Sequence, residues 1–227
     1  MISLSIRLSV IADMVPSCSV LADVGTDHGY LPVWLLQQGR VKHVFASDIH
    51  QGPLRKATET AELYGVSEWM ETILADGLQF PNADQAEVIT ICGMGGETMI
   101  SILDAAPWTV AQRRRLILQP QSKLAELERW LRENKFAIED ARLCIDGGKR
   151  YLALSVLGGA VWDHSAEDML CLKQDPVFPN YVQNEIRKIK YALAGLQNSA
   201  KEHTDQINDL EQRISVLTQY EKEISKW

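Results

Sequence analysis

Short apolar runs alternate with amphipathic stretches along the first two thirds of the chain. Runs rich in apolar and β-branched residues, each beside turn-forming residues, predict buried strands at 20–24, 43–47, 71–74, 86–92 and 116–119. Between them, apolar residues recur at helical spacing and predict helices at 30–38, 52–64, 97–103 and 124–134. This alternation of strand and helix favours an α/β fold with a parallel sheet and right-handed crossovers.

The pattern changes near residue 136, where two apolar runs follow each other directly. These runs, 136–144 and 151–157, are joined by Asp146, Gly147 and Gly148, which is a strong signal for a hairpin turn. The sheet is therefore expected to end in an antiparallel hairpin. Such an ending is typical of class I methyltransferases and unusual for dinucleotide dehydrogenases.

A heptad pattern begins at Ile186, with apolar residues at coiled-coil spacing up to Ile224. Asp175 and Pro176 predict the start of a helix, and the weak register over 197–204 predicts a turn. Two antiparallel helices folded on each other would result, in a monomer. The alternative is one long helix that dimerises with a second chain. We therefore expect a Rossmann-like domain at 1–160 and a helical coiled-coil domain at 161–227.

Composition fits one domain with a core plus an appendage. Of 227 residues, 46% are hydrophobic and 23% are charged, which excludes a disordered chain. The apolar N-terminus is interrupted by Arg7 and Asp13 and predicts an amphipathic helix, not a signal peptide or membrane span. The four cysteines form no Cys-x-x-Cys pair and no cluster with the histidines, which favours reduced thiols, a cytoplasmic location and no metal. With a net charge of −7, any contact with RNA requires local basic patches.

The first strand runs into a glycine-bearing loop and then a helix, an arrangement that brings a ligand close to the backbone. Asp27 stands between Gly25 and Gly29, so the loop lacks the full G-x-G-x-x-G pattern. Asp27 would repel a pyrophosphate, but it would attract the sulfonium and amino groups of S-adenosylmethionine (SAM). The loop therefore favours SAM over NAD or ATP. The alternative is that Asp27 only caps the following helix.

Acidic residues also follow the next two strands. Asp48 ends the second strand 23 residues after Gly25, near the position where a carboxylate binds ribose hydroxyls. Asp76 follows the third strand and would accept a hydrogen bond from the exocyclic amine of adenine. Alone, Asp76 also fits a simple Asp-Gly turn, but the succession of acidic strand ends strengthens the prediction of a nucleoside site.

The fourth strand ends in the glycine-rich segment 91–97, which would face both the methyl group of the cofactor and the substrate. Enzymes that methylate exocyclic amines often carry an Asn/Asp-Pro-Pro-aromatic motif here, and this chain has none. A ring nitrogen with a free lone pair would not need that clamp. The alternative is that the glycines only form a tight entry to the next helix.

Together, the segments 22–32, 47–49, 75–78, 91–97 and 118–120 resemble the bacterial tRNA adenine-N1 methyltransferases that modify position 22. The resemblance extends over residues 3–158 and, in architecture, into the C-terminal helices. It implies a class I methyltransferase fold, SAM as methyl donor, and a helical domain that assists tRNA binding. Methyltransferases in general carry glycines where this chain has Asp27 and His28, a departure that the resembled family shares.

The resemblance and the loop positions define the expected sites. The residues expected to bind SAM are Gly25, Thr26, Asp27, His28, Gly29, Tyr30, Leu31, Asp48, Ile49, Ala75, Asp76, Gly77, Leu78, Cys92, Gly93 and Met94. Adenine N1 would attack the methyl group in line, and the base would first turn out of its stack. Asp27 is the candidate catalytic residue, because its charge could stabilise the cationic product, although a role as cofactor ligand is the safer one.

Expected contacts to tRNA come from basic residues and bare backbone. They are Arg7, Gly95, Gly96, Arg114, Lys149, Arg150 and Lys188. Each basic cluster could equally be a solvated surface. Two other functions stay open at this point, namely a SAM-dependent methyltransferase for a protein or small molecule, and a non-catalytic SAM-binding interaction protein.

Overall fold

The computed structural model describes residues 2–162, 164–197 and 203–227. The chain divides into two compact units, Met1–Ala166 and Glu167–Trp227, when its described residues are grouped by contact. The sequence analysis placed this division after residue 160, six residues earlier. No helix within the described ranges is long and apolar enough to cross a membrane.

The described part of the first unit is built on one seven-stranded sheet with the order β3-β2-β1-β4-β5-β7-β6. The strands are β1 (Cys18–Val24), β2 (Val41–Asp48), β3 (Met70–Leu74), β4 (Val88–Gly95), β5 (Arg115–Ser122), β6 (Phe136–Asp146) and β7 (Lys149–Gly158). Strands β1 to β5 pair in parallel, while β7 is antiparallel to both β5 and β6. This is the predicted Rossmann-like sheet that ends in an antiparallel hairpin.

Helices connect the strands as expected for such a sheet. They are α1 (Ile6–Met14), α2 (Tyr30–Gln37), α3 (Gln51–Leu63), α4 (Gly96–Asp104), α5 (Trp108–Ala111) and α6 (Leu124–Glu133). All were predicted within a few residues except α5, which has only four residues and is too short to show a helical period.

The central strands are buried on both faces. Leu21 and Ala22 of β1, and Ile89 and Ile91 of β4, have no exposed surface. Such strands read as continuous apolar runs because helices cover both faces of a parallel sheet. The ends of the parallel strands therefore form an edge, here called the carboxyl edge, where polar loops meet.

The β6–β7 hairpin extends toward this carboxyl edge. Because β7 is antiparallel to β5, with Arg115 paired to Leu157, the start of β7 lies toward the end of β5. Gly147 and Gly148 form the two-residue turn with φ of 54° and 75°. These positive values are disfavoured for other residues, so the turn signal in the sequence was a specific one.

The second unit contains α7 (Ala166–Leu172, which begins in the last residue of the first unit), α8 (Phe178–Gln197) and α9 (Thr204–Ile224). The ring of Phe178, at the start of α8, lies 5.5 Å from that of Tyr220 and 6.4 Å from that of Trp227, near the end of α9. The two helices are therefore antiparallel, as the heptad pattern predicted, and the alternative of one long helix is wrong. The predicted turn over 197–204 lies largely on 198–202, outside the described residues.

The start of this unit differs in detail from the sequence prediction. Helix α7 was not predicted. The side chain of Asp175 accepts a hydrogen bond from the backbone N–H of Val177 at 2.8 Å, which is the predicted capping contact, and the regular part of α8 begins at Phe178. The buried carboxylate of Glu167 accepts hydrogen bonds from both guanidinium nitrogens of Arg213 and from the hydroxyl of Tyr181. This network joins α7, α8 and α9, because each helix provides one of its members.

Candidate active site

A cleft of about 610 Å³ opens at the carboxyl edge, within the range of small-molecule sites. It lies where β1, β2 and β4 end and where the N-terminal segment and α1 pass over them. Its lining residues are Ser3, Ser5, Arg7, Leu8, Asp23, Val24, Gly25, Thr26, Asp27, His28, Tyr30, Leu31, Asp48, Cys92, Gly93, Met94 and Gln121.

The loop after β1 is held in place by close packing and by backbone hydrogen bonds. Gly25 has a φ of 72°, which is strained for residues with a side chain, and a Cβ atom there would also displace Cε of Met94, 2.1 Å away. The backbone N–H groups of Gly25 and Thr26 donate to the carbonyl of Ser47 at 2.8 and 3.2 Å, which ties the loop to β2. The loop thus keeps its backbone directly against the cleft.

Asp27 stands in this loop in a left-handed conformation, with φ of 49°. Helix α2 begins after Gly29, and in the described part of the chain no side chain caps it. The alternative that Asp27 only caps the helix is therefore wrong. Its carboxylate is 68% exposed and lies 3.7 Å from Nε2 of His28, whose ring stacks on Tyr30 with 5.2 Å between centroids. Asp27 thus presents its charge to the cleft opening.

Asp48 ends β2 and lines the cleft, with Oδ1 accepting a hydrogen bond from the backbone of His50 at 2.9 Å. Its neighbour Ile49 is exposed. The segment Ala75–Leu78 follows β3 at the same edge and is tied to β2 by two hydrogen bonds, from Ala75 to Asp48 and from Ser47 to Gly77. Among the residues predicted to bind SAM, the segment Ala75–Leu78, Ile49 and Gly29 are not among the described residues that line the cleft. The cleft therefore gathers the predicted residues after β1 and β4 and Asp48.

Asp23 is a cleft residue that the sequence analysis missed. Its side chain is 5% exposed, and the hydroxyl of Thr90 donates to it at 2.5 Å. Burial raises the pKa of Asp23, and the hydrogen bond from Thr90 partly offsets that rise. The available signal was a lone acidic residue in the otherwise apolar run 20–24.

Cys92 ends the apolar part of β4 and also lines the cleft. Burial, followed by the charge of Asp23, raises the pKa of the Cys92 thiol, which keeps it protonated at neutral pH. A protonated thiol is a poor nucleophile, so Cys92 is suited to packing against a ligand.

Arg7 was expected on the tRNA side, but the structure places it in the cleft. Its Nη1 donates to Oε1 of Gln119 at 3.1 Å, and its guanidinium lies over the ring of Tyr151, 5.5 Å from the centroid. A Cβ on Gly93 would lie 3.7 Å from the same Nη1. Among the described residues that line the cleft, Arg7 is the one with a permanent positive charge.

The other residues expected to contact tRNA are dispersed. A Cβ on Gly96 would lie 2.4 Å from the carbonyl oxygen of Lys123, so close packing of the loop before α6 accounts for this glycine. A Cβ on Gly95 would lie 3.1 Å from Oγ of Ser122, a less severe contact. Arg114 precedes β5 at the opposite edge of the sheet and donates to the carbonyl of Asp84 at 2.8 Å. Lys149 and Arg150 begin β7 at the hairpin tip, toward the carboxyl edge. Lys188 belongs to the second unit, 2.7 Å from Glu185.

Comparisons with known proteins agree with this geometry. The profile of the methyltransferase domain family matches residues 4–154. The tRNA (adenine(22)-N(1))-methyltransferase of Bacillus subtilis is 32% identical over 158 residues, which cover 70% of this chain and 66% of that protein. The match thus spans about two thirds of the length of this relative.

Solved structures cover nearly the whole chain. The structure of the Bacillus subtilis M1A22 tRNA methyltransferase TrmK superposes with a TM-score of 0.84 at 26% identity, covering 97% of this chain and 99% of that one. A Streptococcus pneumoniae protein solved in complex with S-adenosyl-L-methionine superposes with a TM-score of 0.82 at 33% identity, with the same coverage.

The parallel sheet closed by an antiparallel hairpin, with acidic residues around a cleft at its carboxyl edge, defines a class I methyltransferase. Within that class, the chain belongs to the bacterial tRNA (adenine-22-N1)-methyltransferase family. The resemblance stated from the sequence is thereby confirmed.

Proposed function

We propose that this chain transfers the methyl group of SAM to N1 of adenine 22 in tRNA. The observation that carries the proposal is the cleft, which combines carboxylates and one guanidinium around a bare glycine loop in a chain of this family. A zwitterionic amino acid attached to a nucleoside needs that combination of charges. When bound, SAM supplies an electrophilic methyl group on a sulfonium.

The cleft residues divide by charge for this role. Asp23 and Asp27 are suited to the amino and sulfonium groups, and Asp48 to the ribose hydroxyls. The guanidinium of Arg7, held by Gln119, is suited to the methionyl carboxylate, since arginine binds carboxylates through paired N–H groups. The segment 75–78 would complete the site around adenine.

Methyl transfer to N1 depends more on the positioning of the two reactants than on general acid–base catalysis. N1 of adenine carries a lone pair and no proton, so the protein has no proton to remove. Gly93 leaves the backbone bare where β4 reaches the cleft, next to the side chains of Gln121 and Arg7, and is thereby suited to close approach by a ligand. The charge of Asp27 can stabilise the positive charge that the adenine ring gains. We therefore assign Asp27 an electrostatic role and not that of a general base.

The substrate is a polyanion, while the chain carries a net charge of −7. Binding must then use local cations, and Lys149 and Arg150 at the carboxyl edge are well placed for it. Lys188 could add a contact from the second unit, whereas Arg114 lies at the edge away from the cleft. A tRNA-modifying enzyme is also consistent with the cytoplasmic location expected from the cysteines.

The test is methyl transfer from labelled SAM to an unmodified tRNA transcript, followed by nucleoside analysis and mapping of the modified position. We expect label in 1-methyladenosine at position 22, and none in a matched transcript with guanine at that position. Label in another nucleoside, or equal label in the guanine transcript, would contradict the proposal.

A further inference from the structure

The tip of the β6–β7 hairpin, residues 145–150, lies near the cleft without lining it. The antiparallel pairing of β7 with β5 directs the tip toward the carboxyl edge. The two glycines of its turn face open space, with no described atom within 4 Å of a Cβ built on either. The tip is therefore a narrow and exposed projection beside the cleft opening.

The tip combines an exposed apolar side chain with two basic residues. Ile145 is a β-branched apolar residue that is 42% exposed. Its cross-strand partner is Arg150, so the isoleucine and the arginine share one face of the hairpin. Lys149 is also exposed, and because its cross-strand partner is Asp146, it lies on the opposite face of the hairpin. An exposed apolar side chain paired with one cation, with a second cation on the other face, fits nucleic acid, which offers both phosphates and base faces.

Short contacts fix the tip relative to the cleft. The backbone N–H of Arg7 donates to Oδ2 of Asp146 at 3.1 Å, and this hydrogen bond lowers the pKa of Asp146. The side chain of Arg7 then passes over Tyr151 to Gln119 and Gly93 in the cleft. Asp146 in the tip and Tyr151 directly after it thus both contact Arg7, which reaches into the cleft.

We propose that this hairpin tip contacts the tRNA next to the target adenine and helps hold that base out of its stack. Lys149 and Arg150 bind backbone phosphates, and Ile145 packs against the bases that the displaced adenine leaves behind. Proteins that distort nucleic acids commonly insert an apolar side chain between bases in this way. The inference rests on the proposed function, because it assigns a role toward the same tRNA.

The variants Ile145→Ser and Lys149→Gln test the tip, with Leu63→Ser and Lys42→Gln as matched controls. Leu63 is 78% exposed near the end of α3, and Lys42 is exposed at the start of β2, so both controls lie toward the opposite edge of the sheet. All four changes are at exposed positions, and unfolding temperatures close to that of the wild type will show that the fold is kept.

The readouts separate the two roles. With a tRNA carrying 2-aminopurine at position 22, we expect Ile145→Ser to lower the fluorescence gain at saturation, since fewer bases are displaced. Lys149→Gln should instead weaken tRNA binding and reduce the slope of log affinity against log salt by about 1. Turnover of tRNA should fall about 5- to 10-fold in Ile145→Ser, the lower part of the range for one base contact. SAM affinity should be unchanged in both.

Each unfavourable outcome has its own meaning. If the wild type fails to methylate tRNA, the proposed function itself is wrong. If the wild type methylates position 22 and the tip variants match their controls in tRNA binding, fluorescence and turnover, the tip inference is overturned. A loss of SAM affinity in the tip variants would also overturn it, because the hairpin would then act by shaping the cleft.

Discussion

At the scale of single residues, the buried carboxylate of Asp23 has opposite effects on stability and on binding. Burial raises its pKa, which means that the folded chain disfavours the charged form. A ligand with a positive group would stabilise that same charge. The free protein therefore has an electrostatic cost of burying this carboxylate, and a positively charged group of the cofactor would lower that cost.

We predict that Asp23→Asn stabilises the free protein at pH 7 by about 0.5–2 kcal/mol, as changes at strained functional positions often do. Asparagine keeps an acceptor for Thr90 and removes the buried charge. The gain should shrink as the pH falls toward about 4, the ordinary aspartate pKa, because the raised pKa lets Asp23 take up a proton and lose its buried charge in the folded chain first. Urea unfolding at several pH values measures this, and calorimetry should show weaker SAM binding. A variant less stable than the wild type at every pH would contradict the argument.

The role of Arg7 can be tested by the group that it is expected to bind. We predict that Arg7→Gln weakens SAM binding about tenfold, equivalent to about 1.4 kcal/mol, while decarboxylated SAM binds wild type and variant alike. Calorimetry with both ligands measures the difference. A parallel loss for both ligands would mean that Arg7 acts by holding the cleft together and not by binding the carboxylate.

For Asp27, charge and shape can be separated. Asp27→Asn removes the charge and keeps the size, so we predict a parallel loss of SAM affinity and turnover, with S-adenosylhomocysteine binding reduced less. The exposed Asp13, changed to Asn in the same way, is the control. Equal weakening of both ligands would reject the attraction of the sulfonium, and a loss of turnover by about 10²–10⁴-fold at unchanged SAM affinity would instead indicate a general base.

At the scale of elements, two glycines at similar helix starts differ in the space that a side chain would have. Gly96 begins α4, where a Cβ would lie 2.4 Å from the carbonyl oxygen of Lys123, while Gly52 in the first turn of α3 has no described atom within 4 Å of such a Cβ. We predict that Gly96→Ala costs about 1–3 kcal/mol of stability, as for other overpacked positions. Gly52→Ala should be neutral or stabilise by up to about 1 kcal/mol. Thermal unfolding compares them, and equal effects would show that the loop before α6 yields easily.

Most helices and strands could be predicted from the sequence. Period and turn chemistry are local signals, and they were sufficient for the sheet, for its glycine hairpin and for the helical pair. Helix α5 was missed because four residues show no period. The places of Arg7 and Asp23 in the cleft were not predicted, for another reason. The position of Arg7 depends on residues more than a hundred positions away, and the apolar neighbours of Asp23 made its segment read as core.

At the scale of the whole molecule, the division after Ala166 sets the length that should fold alone. Ala166 is buried, and its N–H donates to Oε1 of Glu128 at 2.9 Å, so a chain that ends at residue 160 would lose a contact of the first unit. We predict that a chain ending at residue 166 folds and binds SAM normally but methylates tRNA poorly. Circular dichroism, calorimetry and tRNA turnover test the three parts. Undiminished turnover would mean that the helices serve another partner.

The hydrogen bond between Arg7 and Asp146 also orders events during synthesis. Its two residues are 139 positions apart, so α1 leaves the ribosome long before the strands that it packs against. At 5–20 residues per second, the delay is about 7 to 30 s. During that time, the guanidinium of Arg7 lacks its contact with the ring of Tyr151. Helix α1 can pack on α2 early, but its contacts with β6 and β7 form late, and we expect full capacity to bind the cofactor only after the hairpin has emerged.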